Sequence, residues 1–491
     1  MFSLKEPKKG LFGHSLRSGG QVLRRLFVLS FFFVYLLLSS YSHADVILHA
    51  FNWKYSTVKD RAREIAELGY KKVLVAPPML TRGDEWYQRY QPMDYRVIDG
   101  PLGNKEDFVT MINELGKYKV VVYADIILNH MANRDWYQYD QNYPGDKILE
   151  EYRNKKDYFD KQKLFGDLNN NLFSSSDFHQ PGKCIGDYNN IGDVQYNRLC
   201  GGGKDRGLPD INPTNWVVEQ HRNYLFALKD LGVKGFRIDA AKHMTNYQIT
   251  KIFAADVVSG TQTFGEIITG GGAGTDEYTY FLEPFLRTTG LGAYDFPLFA
   301  SIRRAFQPDG TLSSLVDPLT YGQALATDKA ITFAITHDIP NNDGFRYQIM
   351  PTQDEHMAYA YILGRDGGVP MVYTDNNESN KDNSRWVDAY KRPDIKNMIS
   401  FHNSMQGYAM EVIGHGKCYI IFRRYDQSGT TKGIVGINKC ETDQDYNVNS
   451  DRYHLVKGKN YRNVFDKKAV SVNDNPSFRM PKRQAKLWIL D

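Results

Sequence analysis

The chain has little of what would mark it as anything but an ordinary globular protein. Only four of its 491 residues are cysteine, and none stands in Cys-x-x-Cys spacing, which counts against a zinc-binding module. The glycine run GGGAG at 270–274 lacks the lysine and helix start of a phosphate loop, so it reads as a flexible loop. No internal repeat and no heptad pattern is present, which excludes solenoids and coiled coils. Beyond residue 44 no apolar run approaches the roughly 20 residues that span a bilayer. A strong charge of one sign is also missing. The formal charge is +4, but residues 1–44 hold six Lys or Arg against one Glu, so the remainder carries −1. A nearly neutral body gives no electrostatic argument for nucleic acid or an anionic surface as partner.

What is present starts with size: 42% hydrophobic and 13% aromatic residues are enough for one large domain or two to three ordinary ones. The first 44 residues combine Lys5, Lys8, Lys9, Arg17, Arg24 and Arg25 with an apolar block from Leu26 to Leu38 and a small-x-small end at Ser42 and Ala44. That is the build of a secretory signal cleaved after Ala44. A membrane anchor is the rival reading, but the block is short for a bilayer about 30 Å thick. The mature protein is therefore expected to be secreted or periplasmic, without stable membrane association. Cys184, Cys200, Cys418 and Cys440 form two close pairs, and an even count in an exported chain suggests disulfides 184–200 and 418–440.

Along the mature chain, β-rich apolar runs at 45–51, 71–78, 120–128, 233–239, 263–268, 293–299, 331–338 and 367–375 alternate with segments of helical period such as 58–69, 106–118, 218–232 and 355–365. Eight strands with helical connections predict a parallel sheet closed into a (β/α)8 TIM barrel, at residues 45–130 and 213–406. Residues 131–212 are rich in Asn, Asp, Gly and Tyr with little helical period, and are too long for a crossover. They read as a subdomain inserted after the third strand. Residues 407–491 read as a C-terminal antiparallel β domain, with two strands around a turn at 417–440 and a further strand at KLWIL.

The stretch GFRIDAAKHM at 235–244 puts two opposite charges in a strand. Residues two apart share a face, so Arg237 and Asp239 point together into the barrel while Phe236 and Ile238 pack outward. The strand's C-terminal end is where such barrels carry chemistry. A neighbouring guanidinium is expected to depress the Asp239 pKa and keep it ionised as a nucleophile; a structural ion pair is the bland alternative. Glu266 ends the next strand among Phe264, Ile267 and Ile268 with no adjacent cation in sequence, so apolar surroundings are expected to raise its pKa. Two carboxyls whose environments push their pKa values apart are what glycoside hydrolysis needs. Asn129 and His130 end one strand, and His337 and Asp338 another. Around the two carboxyls they could bond sugar hydroxyls and steady developing positive charge.

Taken in order, DIILNH at 125–130, LPDIN at 208–212, GFRIDAAKH at 235–243, FGEII at 264–268 and FAITHD at 333–338 resemble the motifs of the α-amylase family of glycoside hydrolases, over nearly all of the mature chain. The resemblance implies Asp239 as nucleophile of a retaining double displacement, Glu266 as general acid/base and Asp338 as the third carboxylate. Arg237, His130 and His337 would complete the subsite. WYQRYQPMDY at 86–95 is similar to the family's aromatic wall, making Tyr90 the candidate to stack on the reacting sugar, with Gln91 beside it and Trp86 and Tyr87 further out. Simple packing is the rival reading for those two aromatics. Lys242 and His243 would line the leaving-group side. The resemblance further implies a calcium ion between barrel and insertion, held by Asn129, Asp210 and the His243 backbone carbonyl, which are hard oxygen ligands. Some relatives bind chloride through the arginine and an asparagine before the His-Asp pair. Thr336 stands there in this chain and is a poorer match, which counts against chloride activation.

The reading is an endo-acting hydrolase of internal α-1,4 bonds in starch or glycogen, expected as a monomer. A glucanotransferase or a maltooligosaccharide-forming hydrolase on the same site is the enzymatic alternative. A carbohydrate-binding protein without catalysis is the alternative of another class, and it would be favoured by a missing carboxylate.

Overall fold

The computed structural model describes residues 45–81, 83–133, 141–375 and 383–491. The expected export signal at 1–44 lies outside them. Eight parallel strands close a barrel: β1 (Ile47–Phe51), β2 (Lys72–Val75), β3 (Val121–Ile127), β4 (Gly235–Asp239), β5 (Gln262–Gly265), β6 (Gly292–Tyr294), β7 (Ala330–Phe333) and β8 (Val369–Asp375), with β8 returning to β1. Five lie inside the runs read from the sequence, and β5, β6 and β7 overlap theirs but begin one residue earlier. Their residues are buried on both faces, as in GFRID of β4, because side chains fill the barrel inside and helices cover it outside.

Helices cover the strands as their apolar period requires. They include α1 (Lys105–Lys117), which opens on a capping box in which Asn104 accepts from the Asp107 N–H at 3.0 Å, satisfying one of the four free N–H groups of a helix start. Further on, α2 (Asn215–Asp230) follows a Thr214 cap. The run 293–299, expected as a strand, is one only to Tyr294, and Phe296 to Phe306 form α3. Asp295 accepts from the Leu298 N–H at 2.9 Å and Pro297 sits in the first turn, so a cap and a helix-starting proline override the apolar run. The segment 131–212, expected to have little helical structure, holds short helices at Asp146–Asn154, Lys156–Gln162 and Ile191–Tyr196.

Toward the end of the chain come α4 (Thr352–Gly364), α5 (Pro393–Ser404), and the strands β9 (Ala409–His415), β10 (Tyr419–Tyr425), β11 (Thr431–Asn438), β12 (Gln444–Asn447), β13 (Asn460–Asn463), β14 (Ala469–Ser471), β15 (Ser477–Met480) and β16 (Gln484–Leu490). Six pair in the order β9-β10-β11-β16-β13-β14, and β12 pairs with β15. Alternation decides the packing: Ile420, Phe422, Val435 and Ile437 join the barrel's core, while Ile421 and Ile434 join a second core with Tyr461, Phe478 and Trp488. Both expected disulfides, Cys184–Cys200 and Cys418–Cys440, are present. No described helix is long and apolar enough to cross a membrane.

Candidate active site

Parallel register brings the chemistry together. Asp125 of β3 stands opposite Arg237 of β4, and Glu266 directly follows β5. The Arg237 guanidinium is fully buried. Its Nη1 donates to both Asp125 carboxylate oxygens, at 2.7 and 2.8 Å, and to Asp239 Oδ1 at 3.0 Å. Its Nη2 donates to Glu266 Oε1. Glu266 is therefore not without a cation, as its neighbours in sequence suggested; the partner comes from the adjacent strand. Just past Asp239, Ala240 takes the left-handed conformation (φ 49°), strain of the kind stored at functional sites. Its N–H donates to Glu266 Oε2 at 3.2 Å.

One guanidinium cannot neutralise Asp125, Asp239, Glu266 and Asp338 together, so the mouth retains protons that free carboxyls would lose. Burial pushes Asp239 up to about 7, with Glu266 and Asp338 adding to the rise and Arg237 opposing it. The expected depression of Asp239 by its arginine is thus reversed, because desolvation outweighs one shared cation. Asp125 is likewise pushed up to about 7 by burial. Glu266 is raised first by burial and further by Asp338, against Arg237. The hydrogen bond between these two raises Glu266 and lowers Asp338, so of this pair Glu266 is the one favoured to hold a proton.

The imidazoles are neutral. Burial holds His130 down at about 4 and His337 at about 3. His130 Nε2 bonds the Tyr90 carbonyl at 3.0 Å. The His337 ring lies between Phe51, with centroids 4.6 Å apart, and Tyr90, at 5.2 Å and nearly parallel. Tyr90 donates to Asp125 Oδ2 at 3.0 Å, so one face of its ring and its hydroxyl are engaged. Trp86 meets Phe51 and His337 edge-on, Tyr87 is 47% exposed and Gln91 is buried. Thr336 is buried, its hydroxyl without a hydrogen-bond partner.

Lys242 and His243 lie in the turn after Asp239. The Lys242 N–H donates to the Glu266 carbonyl at 3.2 Å, while its ammonium pairs with Glu277 at 2.9 Å. The His243 ring is held by the Val194 carbonyl at 3.3 Å and meets the half-exposed Tyr188 of the insertion, 6.1 Å between centroids. Asp125, Tyr188 and Glu277 escaped the reading of the sequence. Strand alternation from Asn129 back through Ile127 could have found Asp125; no spacing points to the other two.

The expected metal donors meet in part. The Ile211 N–H donates to the Asn129 carbonyl at 2.9 Å, and His130 bridges Asp210. Asp210 is buried, hydrogen-bonded by Asn129 and by His179 Nδ1 at 2.6 Å, and burial pushes it up to about 6. Among the described residues no group of three or more His, Cys, Asp and Glu is placed to hold a metal. A cation here would rest on the amide, one carboxylate and backbone carbonyls, a hard oxygen set that suits calcium and not zinc.

Residues 56–267 match the family model "Alpha amylase, catalytic domain". The chain is 52% identical over 436 residues to an α-amylase of Aeromonas hydrophila, covering 89% of this chain and 93% of the relative. It is 27% identical to one of Thermomonospora curvata, over 74% and 59% of the two chains. Among solved structures, α-amylase I of Eisenia fetida with maltohexaose superposes with a TM-score of 0.70 at 20% identity, over 91% of this chain and 98% of that one. CldA, described as a cyclomaltodextrin glucanotransferase, does so with 0.65 at 20% identity, over 89% and 90%. At such identities the likeness is one of fold.

Proposed function

Because this chain belongs to the α-amylase family of glycoside hydrolases, and hydrolyses starch-type glucans as that family does, we propose that it is endo-acting and works by a retaining double displacement in which Asp239, Glu266 and Asp338 carry the chemistry. The observation that carries this reading is that Asp239 and Glu266 bond two different nitrogens of one buried guanidinium, which can hold an ionised Asp239 beside a Glu266 that keeps a proton. Glu266 gives that proton to the glycosidic oxygen as the bond to the leaving chain breaks, and the Asp239 carboxylate bonds to the anomeric carbon. Glu266, now ionised, takes a proton from water, whose oxygen attacks the same carbon and releases Asp239. Arg237 holds the two carboxyls in place throughout. Asp338 offsets positive charge on the sugar, and the neutral His130 and His337 exchange hydrogen bonds with its hydroxyls. Calcium at Asn129, Asp210 and the His243 carbonyl would tie the barrel to the insertion. The two disulfides support export, with secretion or the periplasm as destination.

The test is a soluble-starch digest with wild type and Glu266→Gln, following reducing ends, iodine colour and the anomer first released. Loss of general acid/base catalysis costs about 10²–10⁴-fold or more in rate, with iodine colour collapsing early in wild type and α-anomers released first. A Glu266→Gln enzyme as fast as wild type, or β-anomers at the outset, would overturn the assignment. Product chains longer than the substrate would make the enzyme a glucanotransferase, an activity that shares the fold.

A further inference from the structure

We propose that Glu277 is a positioning residue for the leaving-group side of the cleft, setting where Lys242 and the loop after Glu266 stand; this rests on the roles given above to Glu266 and Lys242. Glu277 Oε1 accepts from the Lys242 ammonium at 2.9 Å, and its Oε2 accepts from the Gly270 N–H at 2.6 Å. The ammonium also lies 5.1 Å from the centre of the Phe281 ring, one helical turn beyond Glu277. Lys242 in turn donates its own N–H to the Glu266 carbonyl. These bonds form a closed circuit: from Glu266 to the backbone of Lys242, along its side chain to Glu277, and through Gly270 back along the chain to Glu266.

The circuit fixes a loop that has little else to define it. GGGAG at 270–274 has almost no side chains, and glycines lose the most conformational freedom on ordering. Thr269 and Thr275 brace it from within, each donating its hydroxyl to a loop carbonyl, at 2.8 and 2.9 Å. Further along, the Ala273 N–H donates to the Gly322 carbonyl at 2.8 Å. A Cβ at Gly272 would run into that same carbonyl, which explains a glycine there. Glu277 anchors its first residue, Gly270. The loop is thus fastened at both edges, and the flexible segment read from its composition is a positioned wall. The Lys242 side chain is 8% exposed and that of Glu277 30%, so their bond is partly shielded from water and sets a geometry that an exposed pair would not.

A glucan chain occupying the leaving-group side meets this wall, and a small aryl leaving group does not reach as far. Glu277→Gln keeps the acceptor for Gly270 and removes the charge that holds Lys242. The measurements are kcat and KM on a maltooligosaccharide long enough to fill both sides and on an aryl maltooligoside, for Glu277→Gln, Lys242→Met and the double variant. The expected result is a KM on the longer glucan raised about tenfold, the scale of one charge-assisted hydrogen bond lost, with a several-fold smaller change on the aryl substrate. The two substitutions should be non-additive, since they break one bond. An equal loss on both substrates, an unchanged KM, or additive effects would each overturn the inference. If Glu277→Gln fails to fold, Lys242→Met alone must show the same difference between substrates. Activity surviving in Glu266→Gln would instead strike at the catalytic assignment, so the two failures are told apart.

Discussion

Arg237 shows how much one residue organises here. Its five N–H donors in a planar fork serve Asp125, Asp239 and Glu266 at once, and burial makes each of those bonds count for more than it would in water. Breaking such a buried set by removing one partner is far costlier than forming it is stabilising, so the arrangement is one of placement more than of stability. Asp295 is a buried carboxyl outside the site that behaves differently. It accepts from the Leu298 and Leu325 N–H groups, yet burial pushes it up to about 6. A folded pKa above the unfolded value near 3.9 means that Asp295 contributes its stability below about pH 4 and loses it as pH rises to about 6. Asn at 295 keeps one acceptor and cannot ionise. Thermal melts between pH 4 and 7 should therefore show Asp295→Asn gaining on wild type by up to about 2 to 3 kcal/mol across that window. A difference that does not vary with pH would contradict this account.

At the scale of elements, capping chemistry decided boundaries that apolar patterning could not. The α1 helix begins where Asn104 and Asp107 exchange bonds with each other's backbone N–H groups. Asn104→Ala should lower stability by about 1 kcal/mol, read as a lower urea midpoint with an unchanged slope, and leave starch hydrolysis as it was. The α3 helix shows the same chemistry read too late: AYDFPLF carries its Asp cap and its proline openly, but an apolar run of seven fits a buried strand equally well. The inner face of β4 was legible because Arg237 and Asp239, two apart, mark it by period-two alternation, while that of β3, with Asp125 as its one charge, was not. The insertion was not, because short helices of six to nine residues give too few turns for a period to emerge, and their stability comes from packing.

For the molecule as a whole, the C-terminal sheet does more than sit beside the barrel, since its cations finish the barrel's helices. Arg424 donates to the carbonyls of Gly364 and Arg365 at the end of α4 and to Met405 after α5, at 2.8 to 2.9 Å. Lys439 donates to the carbonyls of Ala305, in the last turn of α3, and of Gln307 and Gly310 just beyond it, at 2.6 to 2.9 Å. Those of Gly364 and Ala305 are among the last carbonyls of their helices, which a helix leaves unpaired at the negative end of its dipole; the others lie in the turns that follow. Calcium would join barrel and insertion in a comparable way. If Asn129, Asp210 and the His243 carbonyl bind it, chelation should lower the melting temperature and added calcium, but not zinc, should restore it. At a free concentration 100 times Kd the difference is about 2.7 kcal/mol. A melting temperature indifferent to chelator and to calcium would remove the metal from this reading.

The order of the eight strands, the two cysteine pairs and the three carboxyls proposed to carry the chemistry could be read from the residues alone, because those depend on local periodicity and on motifs whose order along the chain is their signature. Tertiary structure alone decided which charges meet. Asp125 and Arg237 are 112 residues apart and Arg237 and Glu266 are 29 apart, and the closure of a parallel barrel makes neighbours of strands whatever their separation in the chain. That closure also withdrew the carboxyls from water, and it turned the expected depression of Asp239 into a rise. The sign of a buried group's pKa shift depends on how much solvent it has lost and how many partners share its counter-ion, and neither is written in the residues beside it.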